Sequence, residues 1–216
     1  MRHFPLFSLR ITTPRLELRF PTLEDLDDLA ERAAEGVHDE GVMPFLMPWT
    51  DTTPDKRALS TIRYHFGKWA EITPEKWTCP FVVIGDGQVA GTQEVWATDF
   101  AVTREVATGS WLGRRFQGQG IGTEMRAAVL QFAFEGLGAD HAVSGAFEDN
   151  HASLAVSRKL GYRDDGVELY NRQGRRATSR RLRLAREDWT PRPDIEIHGL
   201  EPCLPLLGVT PPESAS

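Results

Sequence analysis

Gly118, Gly120 and Gly122 fall on alternate positions where an apolar run through Trp111 and Leu112 gives way to a helix-forming segment around Met125. Glycine carries no Cβ, so a backbone rich in it can approach a ligand closely. A helix N-terminus adds unpaired N–H groups and a partial positive charge. Together these suit a phosphate or pyrophosphate. A triphosphate loop needs GxxxxGK[ST], and no lysine lies in this segment. A dinucleotide fingerprint needs GxGxxG at the opening of a βαβ unit, whereas the spacing here is GxGxG in mid-chain. Glu148 or Asp149 could still serve as the acidic residue such a fingerprint requires. A bare helix-entry loop without a ligand is the remaining reading, at the entropic cost of the glycines.

Arg115-Phe-Gln-Gly-Gln-Gly120 has the form [RQ]xxGxG, at a strand–helix junction. It resembles the acyl-coenzyme A signature of the GNAT superfamily of N-acetyltransferases. Downstream, Asn150-His-Ala-Ser-Leu-Ala-Val-Ser-Arg-Lys-Leu-Gly-Tyr162 is similar to that superfamily's pattern of an asparagine followed by a helix ending in Lys-Leu-Gly-[Phe/Tyr]. Asn150 and Gly161 also suit ordinary cap positions of a helix. Thr13-Pro-Arg-Leu-Glu-Leu-Arg19 resembles the opening of the ribosomal-protein N-terminal acetyltransferase branch. The resemblance runs from Ile11 to Trp189.

It implies an α/β (α+β) domain with a mixed, mostly antiparallel sheet, a central splay and flanking helices. It implies an acyl-coenzyme A-dependent N-acyltransferase that moves an acyl group directly to a primary amine. Acetyl is the first expectation for that group. Succinyl would need a cation such as Arg104, Arg114 or Arg115. The resemblance also implies the site. Trp111, Leu112 and Gly113 would line one side of the coenzyme slot and Ala146 to Glu148 the other, with a backbone N–H near Leu112 for the oxyanion. Arg115, Gln117, Gly118, Gln119, Gly120, Ile121, Gly122 and Thr123 would hold the pyrophosphate. Asn150 would contact the pantetheine arm, and Ser153 and Ser157 would face the coenzyme.

Many relatives carry a tyrosine seven positions after the asparagine as the acid for the leaving thiolate, and this chain has Ser157 there. Ser153 is then the expected hydrogen-bond donor to sulfur. The missing tyrosine also leaves a non-catalytic acyl-coenzyme A binder as the alternative, with a dinucleotide enzyme behind it. Glu94 is the expected base, and Trp96 shares its strand face by period two. A solvated strand carboxylate is the competing reading of Glu94. Asp99, at the strand end, is a second candidate base. Among Met43, Phe45, Met47, Trp49, Trp69 and Trp77, Trp49 is expected in the acceptor pocket and most of the others in the core. Aromatic walls attract an ammonium. A protein N-terminus, a polyamine, an antibiotic and a small metabolite all remain open as acceptors.

The elements that must position these residues follow from periodicity. Leu16 to Phe20 alternates as a half-buried strand. Thr22 and Asp25 form a capping-box pattern before a helix whose apolar face is Leu26, Leu29, Ala30 and Ala33, closed by Gly36. A loop over 37–53 leads to a helix from Pro54 through Trp69. Two β-rich runs from Phe81 to Trp96 flank an Asp86-Gly87 turn, a hairpin signal. Strands are predicted over 106–113, 141–147, 167–171 and 180–184, with helices after Gly122 and over 150–160. Residues 1–190 read as one domain and 191–216 as a proline-rich extension, with Thr210 to Ser216 disordered.

Composition narrows the class. Acidic residues outnumber basic ones, 31 to 25, for a net charge of −6, which argues against nucleic-acid binding. Cys79 and Cys203 are far apart and no Cys/His cluster appears, so no metal is expected and a reduced cytoplasmic setting fits. No run approaches the roughly 20 apolar residues of a membrane span. The expected partners are acyl-coenzyme A, the amine and, as a homodimer or higher homo-oligomer, a second copy.

Overall fold

Side chains of β3 (Lys76–Gly85) go alternately to two faces. Phe81 and Val83 join a cluster with Met125, Val129 and Phe132, while Val82 packs with Leu26 and Leu29. That alternation makes a sheet buried on both sides. The computed structural model describes residues 1–209; Thr210 to Ser216, the stretch read as disordered, lie outside the described residues.

The chain runs through β1 (Arg10–Thr12), β2 (Leu16–Arg19), α1 (Leu23–Glu35), α2 (Pro54–Ala70), β3, β4 (Gln88–Thr98), α3 (Phe100–Thr103) and β5 (Glu105–Leu112). It continues with α4 (Ile121–Gln131), β6 (His141–Phe147), α5 (His151–Lys159), β7 (Arg163–Arg172), β8 (Arg175–Ala185) and β9 (Glu196–His198). The described strands form one nine-stranded sheet in the order β7-β8-β6-β5-β4-β3-β2-β1-β9. Every neighbouring pair is antiparallel except β5 and β6. Helices α1 and α2 pack on one face against β3 and β4, and α4 on the other against β2, β4 and β5. This is the mixed, mostly antiparallel architecture expected from the sequence.

The parallel pair opens the molecule. Ladder pairing joins Glu105–Ala107 to His141–Val143 and then stops, although β5 continues to Leu112 and β6 to Phe147. The two strands part at the centre of the sheet. Local signals act as their chemistry dictates: Thr22 Oγ1 accepts from the Asp25 N–H while the Asp25 carboxylate accepts from Thr22, closing the capping box. The short strands β1 and β9 and the single turn α3 were not predicted. Beyond residue 190 the chain adds β9 to β1 and buries Ile195, Cys203 and Leu207. Gly199, at φ +70°, passes so close to Ser8 that a Cβ would stand 2.2 Å from its carbonyl oxygen.

Candidate functional site

The glycine segment leaves β5 through a short turn, Arg114–Phe116, and enters α4 with Gly118 at φ +72° and Gly120 at φ +82°. Left-handed conformations alternating with right-handed ones turn successive N–H groups to one side. Among the described residues, the N–H groups from Gly118 to Gly122 donate to no protein oxygen. Gly118, Gly120 and Gly122 line a cavity of about 620 Å³. The N-terminus of α4 is fixed from behind. Glu124 accepts from Thr13 Oγ1 at 2.6 Å and from the Arg15 side chain at 2.7 Å, so the Thr13–Arg15 turn clamps the first helical turn. Burial alone would raise the Glu124 carboxyl, but these hydrogen bonds outweigh it and its pKa is lowered.

Of the residues proposed for the coenzyme, Trp111, Leu112, Gln117, Gly118, Gly120, Gly122, Thr123, Asn150 and Ser153 line this cavity. The others do not. Gly113 is buried in the turn with its N–H on Ala90. Ile121 packs into the core. The Gln119 side chain folds back onto the Arg115 carbonyl. Arg115 points outward, bonded to Gln88 at 3.1 Å and stacked on Phe116. Ser157 is fully enclosed, because Val156, three residues after Ser153, takes the wall position instead. Ala146 and Phe147 are buried and Glu148 pairs with Arg180; the far wall is Asp149 to Ser153. Asn150 keeps its capping role, its Oδ1 accepting from the Ser153 N–H at 3.2 Å.

A second cavity of about 660 Å³ lies on the α2 side of the sheet. Phe45, Ser110 and Trp111 belong to the walls of both. Glu94, Trp96 and Trp49 all line this second space, and Trp49 lies against Trp111 with ring centroids 5.5 Å apart. Phe45 and Met47 also line it, whereas Trp69 and Trp77 sit in the core. The Tyr64 hydroxyl donates to Glu94 Oε2 at 2.8 Å. The exposed part of Glu94 faces the cavity, and the surrounding protein desolvates it. That pushes its pKa from 4.5 up to about 7, against the opposing pull of Tyr64 and Lys68. Asp99 lies outside, heading α3.

Among the lining residues that sequence reasoning missed are Tyr64, His65 and Arg126. Tyr64 and His65 come from α2, whose spacing announced a helix but not which residues face the β4 carboxylate. His65 is 1% exposed with Nδ1 against the Thr61 carbonyl, and burial lowers its pKa. Among the described residues its Nε2 has no hydrogen-bond partner. Arg126, on α4, lines the first cavity although it is 4% exposed. A charged residue at a position where the helical period calls for an apolar one was the available signal.

The loop between α1 and α2 roofs the first cavity through Val37, His38, Asp39, Val42 and Phe45. It is fastened on one side by Arg114 to Asp39 (2.6 Å) and Gln117 to the Val37 carbonyl (2.8 Å). On the other side Arg172 donates to the Met43 carbonyl while gripping Asp149. Among the described residues no group of His, Cys, Asp and Glu is placed to hold a metal ion, and no helix is long and apolar enough to cross a membrane.

Residues 15–163 match the family model described as an acetyltransferase (GNAT) domain. Solved structures share the fold. RimJ of Mycobacterium smegmatis, in complex with a coenzyme A disulfide, is 21% identical with a TM-score of 0.70, over 85% of this chain and 90% of that one. A GCN5-related N-acetyltransferase from Brucella melitensis is 19% identical (TM-score 0.66; 83% and 80% covered). RimL, a ribosomal L7/L12 α-N-protein acetyltransferase in complex with coenzyme A, is 18% identical (TM-score 0.63; 80% and 95% covered).

Proposed function

The chain belongs to the GNAT acetyltransferase family, and from that premise we propose how its two cavities divide the work of moving an acyl group from coenzyme A to a primary amine. The first cavity takes the donor. Its free N–H groups from Gly118 to Gly122 and the α4 dipole suit a pyrophosphate. Asn150 and Ser153 flank the pantetheine path, and Ser153 donates a hydrogen bond to the departing sulfur. The second cavity takes the amine. Its walls are mostly apolar and aromatic, with Glu94 as the carboxylate inside, so the acceptor is an ammonium on an apolar body.

A protonated amine has no lone pair for attack. Glu94, ionised above about pH 7, accepts the ammonium proton. The neutral nitrogen attacks the thioester carbonyl where the cavities meet, beside Ser110 and Trp111. The carbonyl oxygen collects negative charge that a backbone N–H near Leu112 stabilises. The carbon–sulfur bond then breaks; the proton that the nitrogen sheds as the amide forms passes to the departing sulfur, and coenzyme A leaves into the donor side as the free thiol. The observation that carries this reading is the shared wall of Phe45, Ser110 and Trp111, with Glu94 on its acceptor side. A cytoplasmic location and self-association are proposed with it. Cys79 and Cys203 are unpaired thiols, which suits a reducing compartment.

Gly122 supplies a clean test. Its backbone is unstrained, and a Cβ there would meet only Val156 at 3.8 Å and Leu112 at 3.9 Å. Gly122→Val should therefore fold while obstructing the donor. Acetyl-coenzyme A should raise the melting temperature of the natural protein and leave that of Gly122→Val unmoved. Thiol release with aromatic and aliphatic primary amines should follow the same pattern. No shift with any acyl-coenzyme A would sink the reading.

A further inference from the structure

Arg126 is a cation buried to 4% exposure, with no counter-ion among the described residues. It reaches from α4 into the gap where β5 and β6 part. Its guanidinium touches neutral side chains: Nε to Gln93 Oε1 at 3.4 Å, Nη1 to Ser144 Oγ at 3.1 Å and Nη2 to Ser110 Oγ at 3.3 Å. Among the described residues it enters no ion pair. Glu124, two residues before it in the chain, is engaged by Arg15, and Glu94, next to Gln93, by Tyr64. Tyr162, a buried and neutral phenol whose hydroxyl lies 3.4 Å from Thr108 Oγ1, also offers that hydroxyl to the guanidinium.

A charge taken out of water without a partner is costly. A brace between β5 and β6 would not need one, since leucine or methionine fills such a gap at no electrostatic cost. Two of the three contacts, those to Gln93 and Ser110, are long for hydrogen bonds, and a guanidinium carries more donors than the three use. The group is therefore held in place yet uncommitted. It faces the first cavity, and its Nη2 contact, Ser110, is one of the residues that wall both cavities. The arginines that the sequence offered for an acidic acyl group are occupied: Arg104 by the Leu137 and Gly138 carbonyls, Arg114 by Asp39, Arg115 by Gln88.

We propose that Arg126 receives the free carboxylate of a short dicarboxylic acyl group, such as succinyl, carried on coenzyme A. The incoming carboxylate supplies the missing counter-ion, and the planar guanidinium can bind it through paired N–H groups. Acetyl has no group to offer there. The proposal rests on the first cavity being the donor site.

Calorimetric titration of the full chain with coenzyme A, acetyl-coenzyme A and succinyl-coenzyme A tests it without knowledge of the amine. The natural protein should bind the succinyl form roughly ten- to hundredfold more tightly than the acetyl form, the span expected of a hydrogen bond to a charged group. Arg126→Met should bring that ratio close to one, and Arg126→Lys should keep part of it. A ratio at or below one in the natural protein overturns the proposal, and so does an unchanged ratio in Arg126→Met. If Arg126→Met does not fold, the natural protein and Arg126→Lys decide by the same ratio. Failure of free coenzyme A itself to bind would remove the donor-site reading and this proposal with it.

Discussion

Glu94 carries two opposed influences: burial holds its proton on, while the Tyr64 hydroxyl and Lys68 favour its release. As the proposed base, it should make kcat/KM rise with pH through about 7 and level off above. Tyr64→Phe removes a bond that favours the ionised form, so the rising limb should move to higher pH. Glu94→Gln should abolish the limb and lower kcat/KM by roughly 10²–10⁴. A pH–rate profile of Glu94→Gln that kept the natural limb would exclude Glu94. Stability carries the opposite sign. Between pH 4.5 and about 7 the folded protein retains a proton that the unfolded chain has lost. This contribution is therefore full below 4.5 and lost as pH rises through about 7. The melting temperature of Glu94→Gln relative to the natural protein should rise across that window.

At the scale of elements, what was legible had a local cause. The Thr22–Asp25 box, the hairpin turn at Asp86-Gly87 and the period-two strands each follow from a few adjacent residues, and each formed where predicted. The glycine segment was legible for the same reason, since its spacing alone removes side chains from a helix entrance. Strands β1 and β9 were not legible. They are three residues each, too short to show a period; β1 pairs with nearby β2, and β9 pairs with β1 from the other end of the chain. Ser157 illustrates a subtler failure. The family position counts residues along α5, but which residue meets the cavity depends on the rotation of the helix, and that is set by packing. The roof over 37–53 read as a loop, and its fastening by Arg114, Gln117 and Arg172 is long-range pairing that no window of sequence contains.

Across the whole molecule, we propose that residues 191–209 belong to the same folding unit as the rest. Ile195, Cys203 and Leu207 are buried, and Gly199 lies against Ser8. Each fully buried aliphatic side chain contributes roughly 1.5–3 kcal/mol, a sizeable part of the 5–15 kcal/mol typical of a whole domain. A chain ending at Trp189 should melt at least about 10 °C lower, and an unchanged thermal transition would show the segment to be an ornament. The wall made by Phe45, Ser110 and Trp111 has a consequence for kinetics. A partition common to two rooms cannot move in one alone. Whatever factor the donor adds to amine affinity, the amine must return to the donor by thermodynamic reciprocity. Amine affinity measured with and without coenzyme A should differ, and equal values would mean the partition is rigid. Where coenzyme A tightens the amine, the amine tightens coenzyme A by the same factor, so that neither substrate is fully held alone; where it loosens the amine, the reverse holds.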